Sequence, residues 1–243
     1  MRKIIKLLVS PRNLKEAAVA IESNVDYIDC KNPDEGSLGA NFPWIIREMK
    51  KLIPPNSSQL LSATIGDFPY LPGSASLAAL GAAVSGADII KVGLKGPRNL
   101  EEGINLMQKV VKTVKHYNNE IKIVTAGYAD KKRMDSSPGY LDLPKIAANS
   151  GSEIVMLDTF IKDNKGLFDF LSVKQLLQFK NLAKSLNLEV ALAGNLRKDS
   201  ISKIKEISPD LIGVRSVVCE GFDRQNGTIQ HHLIEELRNE LYS

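Results

Sequence analysis

Short apolar runs rich in Val and Ile alternate along the chain with longer stretches in which apolar residues recur at helical spacing. The short runs predict eight strands, at residues 4–10, 27–31, 60–66, 89–94, 122–128, 154–159, 189–194 and 211–216. The longer stretches predict eight helices, at about 12–23, 42–53, 74–86, 99–117, 141–150, 172–186, 198–207 and 229–240. Strict alternation of strand and helix is typical of a parallel sheet.

The number and length of these units favour a closed barrel. Eight units of roughly 25–35 residues fit an α/β fold of the (β/α)8 TIM-barrel type. The 243 residues are the usual size of one such barrel, so we expect a single domain over residues 1–243. An open doubly wound sheet is the alternative, but no predicted strand is followed by the GxGxxG of a dinucleotide site.

Composition and charge narrow the class of partner. The net charge is +4, and the longest basic run is Lys131-Lys132-Arg133, so we expect a small anionic substrate and no nucleic acid. The N-terminal apolar run is interrupted by Lys6 and is too short for a signal peptide, and no stretch reaches the roughly 18 apolar residues of a membrane span. We therefore expect a cytoplasmic protein without a membrane partner, and a homo-oligomer is left open.

The residues that most often bind metals are scattered. The two cysteines, Cys30 and Cys219, form no CxxC or Cys/His cluster, which argues for a reducing compartment and against a zinc site. The three histidines, at 116, 231 and 232, fall on predicted outer helices. We expect no metal site.

Polar residues gather where the predicted strands end, which is where TIM barrels place their chemistry. Successive strand side chains face opposite sides, and the apolar residues of each strand identify the face that packs on the helices. The opposite, inward face then carries Asp29, Lys31, Lys91, Asp158 and Arg215. Lys162 follows strand 6 closely enough to join them.

Burying such charges costs several kcal/mol per uncompensated ion, so we expect them to be paired or catalytic. A lysine that is partly desolvated and close to a second ammonium loses basicity, and its neutral amine can attack a carbonyl to form a Schiff base. A neighbouring carboxylate or lysine can move protons. The pattern favours aldol-type chemistry with neither a metal nor an organic cofactor.

The loops after strands 7 and 8 are the usual phosphate site of these barrels. Here they supply Gly194, Asn195, Arg215 and Ser216, whose backbone N–H groups and guanidinium suit phosphate oxygens. The loop NPDEGSLGAN after strand 2 exceeds a minimal connection, and we expect it to close over the substrate. Trp44 is interpreted as a packing anchor.

Several segments resemble one known family, the (5-formylfuran-3-yl)methyl phosphate synthases of methanofuran biosynthesis. The matching segments are DCKNPDEGSLGANFPW, SATIGDFPY, LAALGAAVSGADIIKVGL, AGYAD, MLDT with KDNKGLFD, ALAGNL and GVRS. The resemblance implies a class-I-aldolase-like lyase that joins two glyceraldehyde 3-phosphates with loss of phosphate and water. It also implies Lys31 as the Schiff-base lysine, Lys91 as the proton acceptor, and Lys162, Asp29 and Asp158 as supporting residues. Ser216 departs from the glycine expected in the family.

Two alternatives remain at this level. Asp29, Lys31 and Asp34 fit the DxKxxD spacing of orotidine-phosphate-decarboxylase-like barrels, which stabilise a carbanion with an ammonium instead of an imine. A barrel that binds a sugar phosphate without catalysis is the other, although it does not explain paired inward lysines. The residues alone leave open which lysine forms the imine.

Overall fold

The computed structural model describes residues 4–242, which form a closed barrel of eight parallel strands in sequence order. The strands are β1 Lys6–Val9, β2 Tyr27–Cys30, β3 Leu60–Phe68, β4 Ile89–Leu94, β5 Lys122–Tyr128, β6 Ile154–Asp158, β7 Glu189–Leu192 and β8 Leu211–Val214. The helices are α1 Leu14–Glu22, α2 Pro43–Leu52, α3 Pro72–Val84, α4 Leu100–Tyr117, α5 Leu143–Ser150, α6 Leu167–Phe170, α7 Val173–Ser185, α8 Ile201–Ile207 and α9 His231–Tyr242. The predicted (β/α)8 barrel is confirmed.

Local sequence accounts for where many helices begin and end. Side-chain oxygens accept hydrogen bonds from the first-turn N–H groups of α1, α4 and α7, and the capping residues are Asn13, Asn99 and Ser172. Proline occupies the first turn of α2 and α3, where its missing N–H costs nothing. Gly151 ends α5 with φ at 85°, a conformation that most other residues avoid.

Three local features differ from the prediction. Helix α6 has four residues, too few to produce a periodic pattern. Strand β3 continues to Phe68 through a register shift between Thr64 and Asp67. Trp44 does not anchor the core as interpreted, because the residue is 54% exposed and its ring stacks, among residues 4–242, only on that of the exposed Phe42, with centroids 4.7 Å apart.

The core has two layers separated by the sheet. One cluster fills the barrel interior and includes Leu8, Tyr27, Ile89, Val124, Met156 and Leu211. The larger cluster lies between the sheet and the helices and includes Ile28, Cys30, Leu61, Ile90, Val155 and Ile212. The alternation deduced from the sequence therefore describes both faces of strands 2, 4, 6 and 8.

An acidic residue directly before each even-numbered strand is hydrogen-bonded to the preceding odd-numbered strand. Its carboxylate accepts a hydrogen bond from a backbone N–H of β1, β3, β5 or β7, at 2.7–2.9 Å. These acidic residues are Asp26, Asp88, Glu153 and Asp210. The amino-terminal end of the barrel thus repeats one bond in every two-strand unit.

The helices are short or carry charged faces relative to what a bilayer requires. No helix within residues 4–242 is long and apolar enough to cross a membrane. The cytoplasmic location and the absence of nucleic-acid and membrane partners stay predictions.

Candidate active site

A pocket opens at the carboxyl ends of β1, β2, β6, β7 and β8, with a cavity volume of about 30 Å³. Most of the predicted site residues line it. Its polar and charged lining consists of Ser10, Asp29, Lys31, Asp158, Lys162, Asn195, Arg215, Ser216 and Arg224, and Gly194 adds backbone. Lys91 lies below this pocket, against the barrel interior.

Asp29 connects the pocket to the buried Lys91. Its Oδ1 lies 2.5 Å from Lys91 Nζ, and both side chains are 1% exposed. The distance defines an ion pair, although the angles do not meet those of a hydrogen bond. Ser10 donates its hydroxyl to the other oxygen, Oδ2, at 2.8 Å. Both oxygens of Asp29 are therefore held in place from within the barrel.

Asp158 and Lys162 form a second pair at the rim of the pocket. Lys162 Nζ lies 2.7 Å from Asp158 Oδ1 and also donates to the carbonyl of Thr159 at 2.6 Å. Burial alone raises the pKa of Asp158, but Lys162 and Lys31 outweigh it and lower that pKa to about 2. Asp158 therefore carries its charge at neutral pH.

Lys31 stands between these two pairs and belongs to neither. It is half-buried, and within residues 4–242 its ammonium makes no hydrogen bond or ion pair. Burial lowers its pKa to about 8; Asp29 and Asp158 oppose this shift, and Lys162 and Lys91 add to it. A substantial fraction of Lys31 is therefore a neutral amine near pH 7–8, the nucleophilic form.

The loop after β2 covers the other side of the barrel mouth. Leu38 is fully buried in the interior cluster, and its carbonyl accepts a hydrogen bond from Thr64 at 2.5 Å. Ser37 donates to the carbonyl of Thr159 at 2.8 Å. Asp67 accepts from the N–H of Leu38 at 3.2 Å and from the hydroxyl of Tyr128. The loop thus confines the open pocket to the side that carries Lys31.

Arg215 lines the pocket, but most of its guanidinium is engaged. It forms a buried ion pair with Glu16 at 2.6 Å and donates to the carbonyls of Ser10 and Arg224 at 2.9 and 3.0 Å. A further bond to Glu16 at 3.2 Å leaves one Nη2 hydrogen for another acceptor. Its contact with a phosphate stays a prediction.

The turn after β7 lines the pocket with Gly194 and Asn195. Gly194 and Asn195 have φ of 100° and 47°, and their N–H groups make no backbone hydrogen bond within residues 4–242. Gly166 packs against their carbonyls so closely that a Cβ there would lie 2.8 Å from the oxygen of Asn195. Ser216 follows Arg215 after the neighbouring strand β8 and also lines the pocket.

Other candidate residues stay outside the pocket. Asp34 is exposed on the loop after β2, so the structure does not bring it to Asp29 and Lys31 as the DxKxxD alternative requires. Burial, together with Asp29, raises the pKa of the Cys30 thiol to about 12, and it faces the helices. No three His, Cys, Asp or Glu side chains among residues 4–242 come together in a way that could hold a metal ion.

Known proteins similar to this chain identify its family. The family model described as 4-HFC-P synthase matches residues 7–238. The chain belongs to this family. A curated relative named (5-formylfuran-3-yl)methyl phosphate synthase from Archaeoglobus fulgidus is 51% identical over 238 residues, covering 98% of this chain and 100% of that protein. Relatives of the same name from Methanosarcina mazei and Methanocaldococcus jannaschii are 50% and 49% identical, each over 96% of this chain and 97% of the relative.

Solved structures outside the 4-HFC-P synthase family share its fold. KGPDC from Streptococcus mutans superimposes with a TM-score of 0.65 at 14% identity, covering 99% of this chain and 100% of that chain. A 3-hexulose-6-phosphate synthase superimposes with a TM-score of 0.64 at 15% identity, covering 98% and 100%. At such identities the likeness concerns the barrel alone.

Reasoning from the sequence missed several residues of this family member's site. Alternation along β1 places the Ser10 side chain on the inward face with that of Leu8, so Ser10 could have been predicted from the sequence. Tyr128 likewise shares the inward face of β5 with Ala126. Arg224 lies in an irregular loop after β8, where no periodic signal exists.

Proposed function

We propose that this chain joins two molecules of glyceraldehyde 3-phosphate into (5-formylfuran-3-yl)methyl phosphate, with loss of phosphate and water, through a Schiff base on Lys31. The state of Lys31 is the observation that carries the proposal. Of the three lysines at the site, Lys91 and Lys162 are each held by an aspartate, whereas Lys31 has no partner within residues 4–242 and a pKa of about 8. The name of the curated relatives supports this product.

The first step depends on the neutral, unpaired amine of Lys31. The neutral amine of Lys31 attacks the carbonyl carbon of the first triose phosphate, and loss of water gives an imine. The protonated imine carries a positive charge on the former Lys31 nitrogen. Asp29 and Asp158 both act electrostatically on that position, so their negative charges stabilise it.

Proton transfer then needs an acceptor and a donor beside the imine. We assign proton acceptance from the carbon next to the imine to Lys91, which passes a proton to Asp29 across their 2.5 Å contact and then takes the carbon's proton with its neutral amine. The resulting enamine attacks the aldehyde of the second triose. Lys162, held at the rim by Asp158, donates protons to the departing hydroxyl and phosphate groups. Water then hydrolyses the imine, which releases the product and restores the Lys31 amine.

The substrate phosphate is placed at the turn after β7. Gly194 and Asn195 line the pocket and their N–H groups have no backbone partner within residues 4–242, and free backbone N–H groups of a turn bind anions well. Ser216 and Arg215, which has one Nη2 hydrogen left, line the same pocket after the neighbouring strand β8. This position holds the triose with its carbonyl free to reach Lys31.

A product assay tests the proposal. Wild-type protein given glyceraldehyde 3-phosphate alone should release a furan aldehyde phosphate, detected by mass spectrometry and by its ultraviolet absorbance. Lys31→Met should lose the activity by a factor of about 10³ or more, since it removes the nucleophile. Lys132→Met, at an exposed lysine outside the pocket, is the matched control and should keep it. A wild type without this product, or an active Lys31→Met variant, contradicts the proposal.

A further inference from the structure

A second, larger cavity adjoins the catalytic pocket. Its volume is about 820 Å³, and it lies among the loops that follow β6, β7 and β8. The two cavities share five lining residues: Lys162, Asn195, Leu196, Ser216 and Arg224. We call the larger cavity the vestibule, because its shared lining makes it the approach to Lys31.

The vestibule has more basic than acidic side chains. Its basic residues are Lys162, Lys165, Arg197, Lys198 and Arg224, and its acidic residues are Asp163, Asp199 and Asp223. Two of the three carboxylates already have partners. Asp163 is paired with Arg133 at 2.5 Å, and Asp223 accepts hydrogen bonds within its own loop, the shortest from the N–H of Gln225 at 2.7 Å. Lys162 and Lys198 are likewise paired, with Asp158 and Glu236. The remaining charged groups are Lys165, Arg197 and Arg224 against Asp199, so the vestibule favours an anion.

Arg224 is the cation with the least compensation at the junction of the two cavities. It is half-buried, and its guanidinium makes no hydrogen bond or ion pair within residues 4–242. Burial lowers the pKa of Arg224, with Arg215 and Arg12 adding to the effect and Asp158 opposing it. A guanidinium with its donors unused and its water partly removed is a strong site for a phosphate oxygen pair.

The backbone of Arg224 is fixed by the two neighbouring arginines. Arg215 donates its Nε to the carbonyl of Arg224 at 3.0 Å, and Arg12 donates to the carbonyl of Gln225. Arg215 is in turn anchored by Glu16. Arg215 thus positions this loop, and the guanidinium with all of its donors available for an anion is that of Arg224.

We propose that Arg224 forms a second anion subsite in the vestibule, which holds the phosphate of the second triose while the first is bound at Lys31. The vestibule, at about 820 Å³, has room for a second phosphorylated molecule beside the catalytic pocket. The identity of the anion as a second substrate rests on the proposed function. The existence of the subsite rests on the geometry.

Titration with inorganic phosphate tests the subsite without any turnover. Wild-type protein should bind phosphate at two sites, measured by calorimetry, and Arg224→Gln should weaken one of them by roughly tenfold or more, as expected when a charge-assisted contact is lost. Lys132→Gln removes the same charge from an exposed position outside both cavities and should change binding by less than about twofold. Arg224→Lys, which retains the charge, should recover part of the affinity. Identical isotherms for wild type and Arg224→Gln overturn the proposal.

Borohydride trapping then separates the two substrates. With glyceraldehyde 3-phosphate, Arg224→Gln should form the reduced adduct at Lys31 at the wild-type half-saturating concentration, while its KM for turnover rises by roughly tenfold or more. If the glyceraldehyde 3-phosphate concentration that half-saturates trapping rises as much as KM, Arg224 binds the first substrate and the second subsite is refuted. If wild type forms no adduct, the Schiff-base proposal fails and the phosphate titration alone decides the subsite.

Discussion

Lys31 differs from the other two lysines of the site in lacking a carboxylate in contact. Asp29 is already committed to Lys91 and Ser10, and Asp158 to Lys162 and the N–H of Thr159. Each aspartate thus acts on Lys31 only through space, and burial prevails. The other lysines neutralise the carboxylates that would otherwise hold the Lys31 ammonium.

The pH dependence of kcat/KM should report this balance. Because the neutral amine reacts, activity should rise with pH along a limb with its midpoint near the Lys31 pKa of about 8. The Lys162 ammonium lowers the pKa of Lys31, and Lys162→Met removes it. Asp158, no longer paired, then raises the pKa of Lys31 further, so the midpoint should move to higher pH. Lys132→Met should leave it in place. A midpoint unmoved by Lys162→Met would show that the limb belongs to another group.

At the scale of residues, the sequence predicted which side chains face the barrel interior better than it predicted which of them pair. Parity along β2, β4 and β6 places Asp29, Lys91 and Asp158 inside the barrel, as the structure has them. Which aspartate meets which lysine depends on distances between strands, and alternation contains no such information. Hence the choice among the three lysines required the structure.

At the scale of elements, the acidic residues before even-numbered strands are a sequence feature that apolar periodicity overlooks. Each one directly precedes an apolar run, as in VDYI and ADII, so the pattern is visible once known. The function of these acidic residues is not visible in the sequence, because each accepts a hydrogen bond from an N–H of the strand about 20–30 residues earlier. Helix α6 and the extension of β3 were missed for a simpler reason, since both follow from tertiary contacts.

Asp26 provides the cleanest test of this repeated bond. Its Oδ2 accepts from the N–H of Leu7 at 2.8 Å. Asp26→Ala leaves that donor unsatisfied and should lower the free energy of unfolding by about 1–3 kcal/mol. Asp26→Asn keeps an acceptor oxygen and should lose clearly less, and Asp34→Ala, at an exposed carboxylate, serves as a control. Equal losses for Asp26→Ala and Asp26→Asn in urea denaturation would contradict this account.

At the scale of the whole molecule, one buried ion pair joins the first and last units of the barrel. Glu16 on α1 and Arg215 after β8 are 6% and 7% exposed and lie 2.6 Å apart. The closed barrel was predictable from the count of alternating units. A contact across 199 residues of sequence was not, and it explains why Arg215 has a structural task that the parity argument did not foresee.

Glu16→Gln should therefore destabilise the whole barrel. It leaves a buried guanidinium without its counter-charge, which typically costs about 3–5 kcal/mol in the free energy of unfolding. Despite burial, bonds from Arg215 and the N–H of Arg12 lower the pKa of Glu16 below 4.5, so this stabilisation is present above pH 4.5 and is lost as pH falls through the lowered value. The difference between wild type and Glu16→Gln should accordingly shrink in acid. A difference that is small at pH 7, or constant with pH, would contradict it.

The proposed Schiff-base mechanism depends most on Lys31 as the residue that binds the substrate covalently. Wild-type protein should be mixed with glyceraldehyde 3-phosphate, reduced with borohydride, digested and mapped by tandem mass spectrometry. We expect one reduced adduct on the peptide that contains Lys31, with Lys91 and Lys162 unmodified because each is held by an aspartate. An adduct located on Lys91 or Lys162 instead, with Lys31 free, would contradict the central claim.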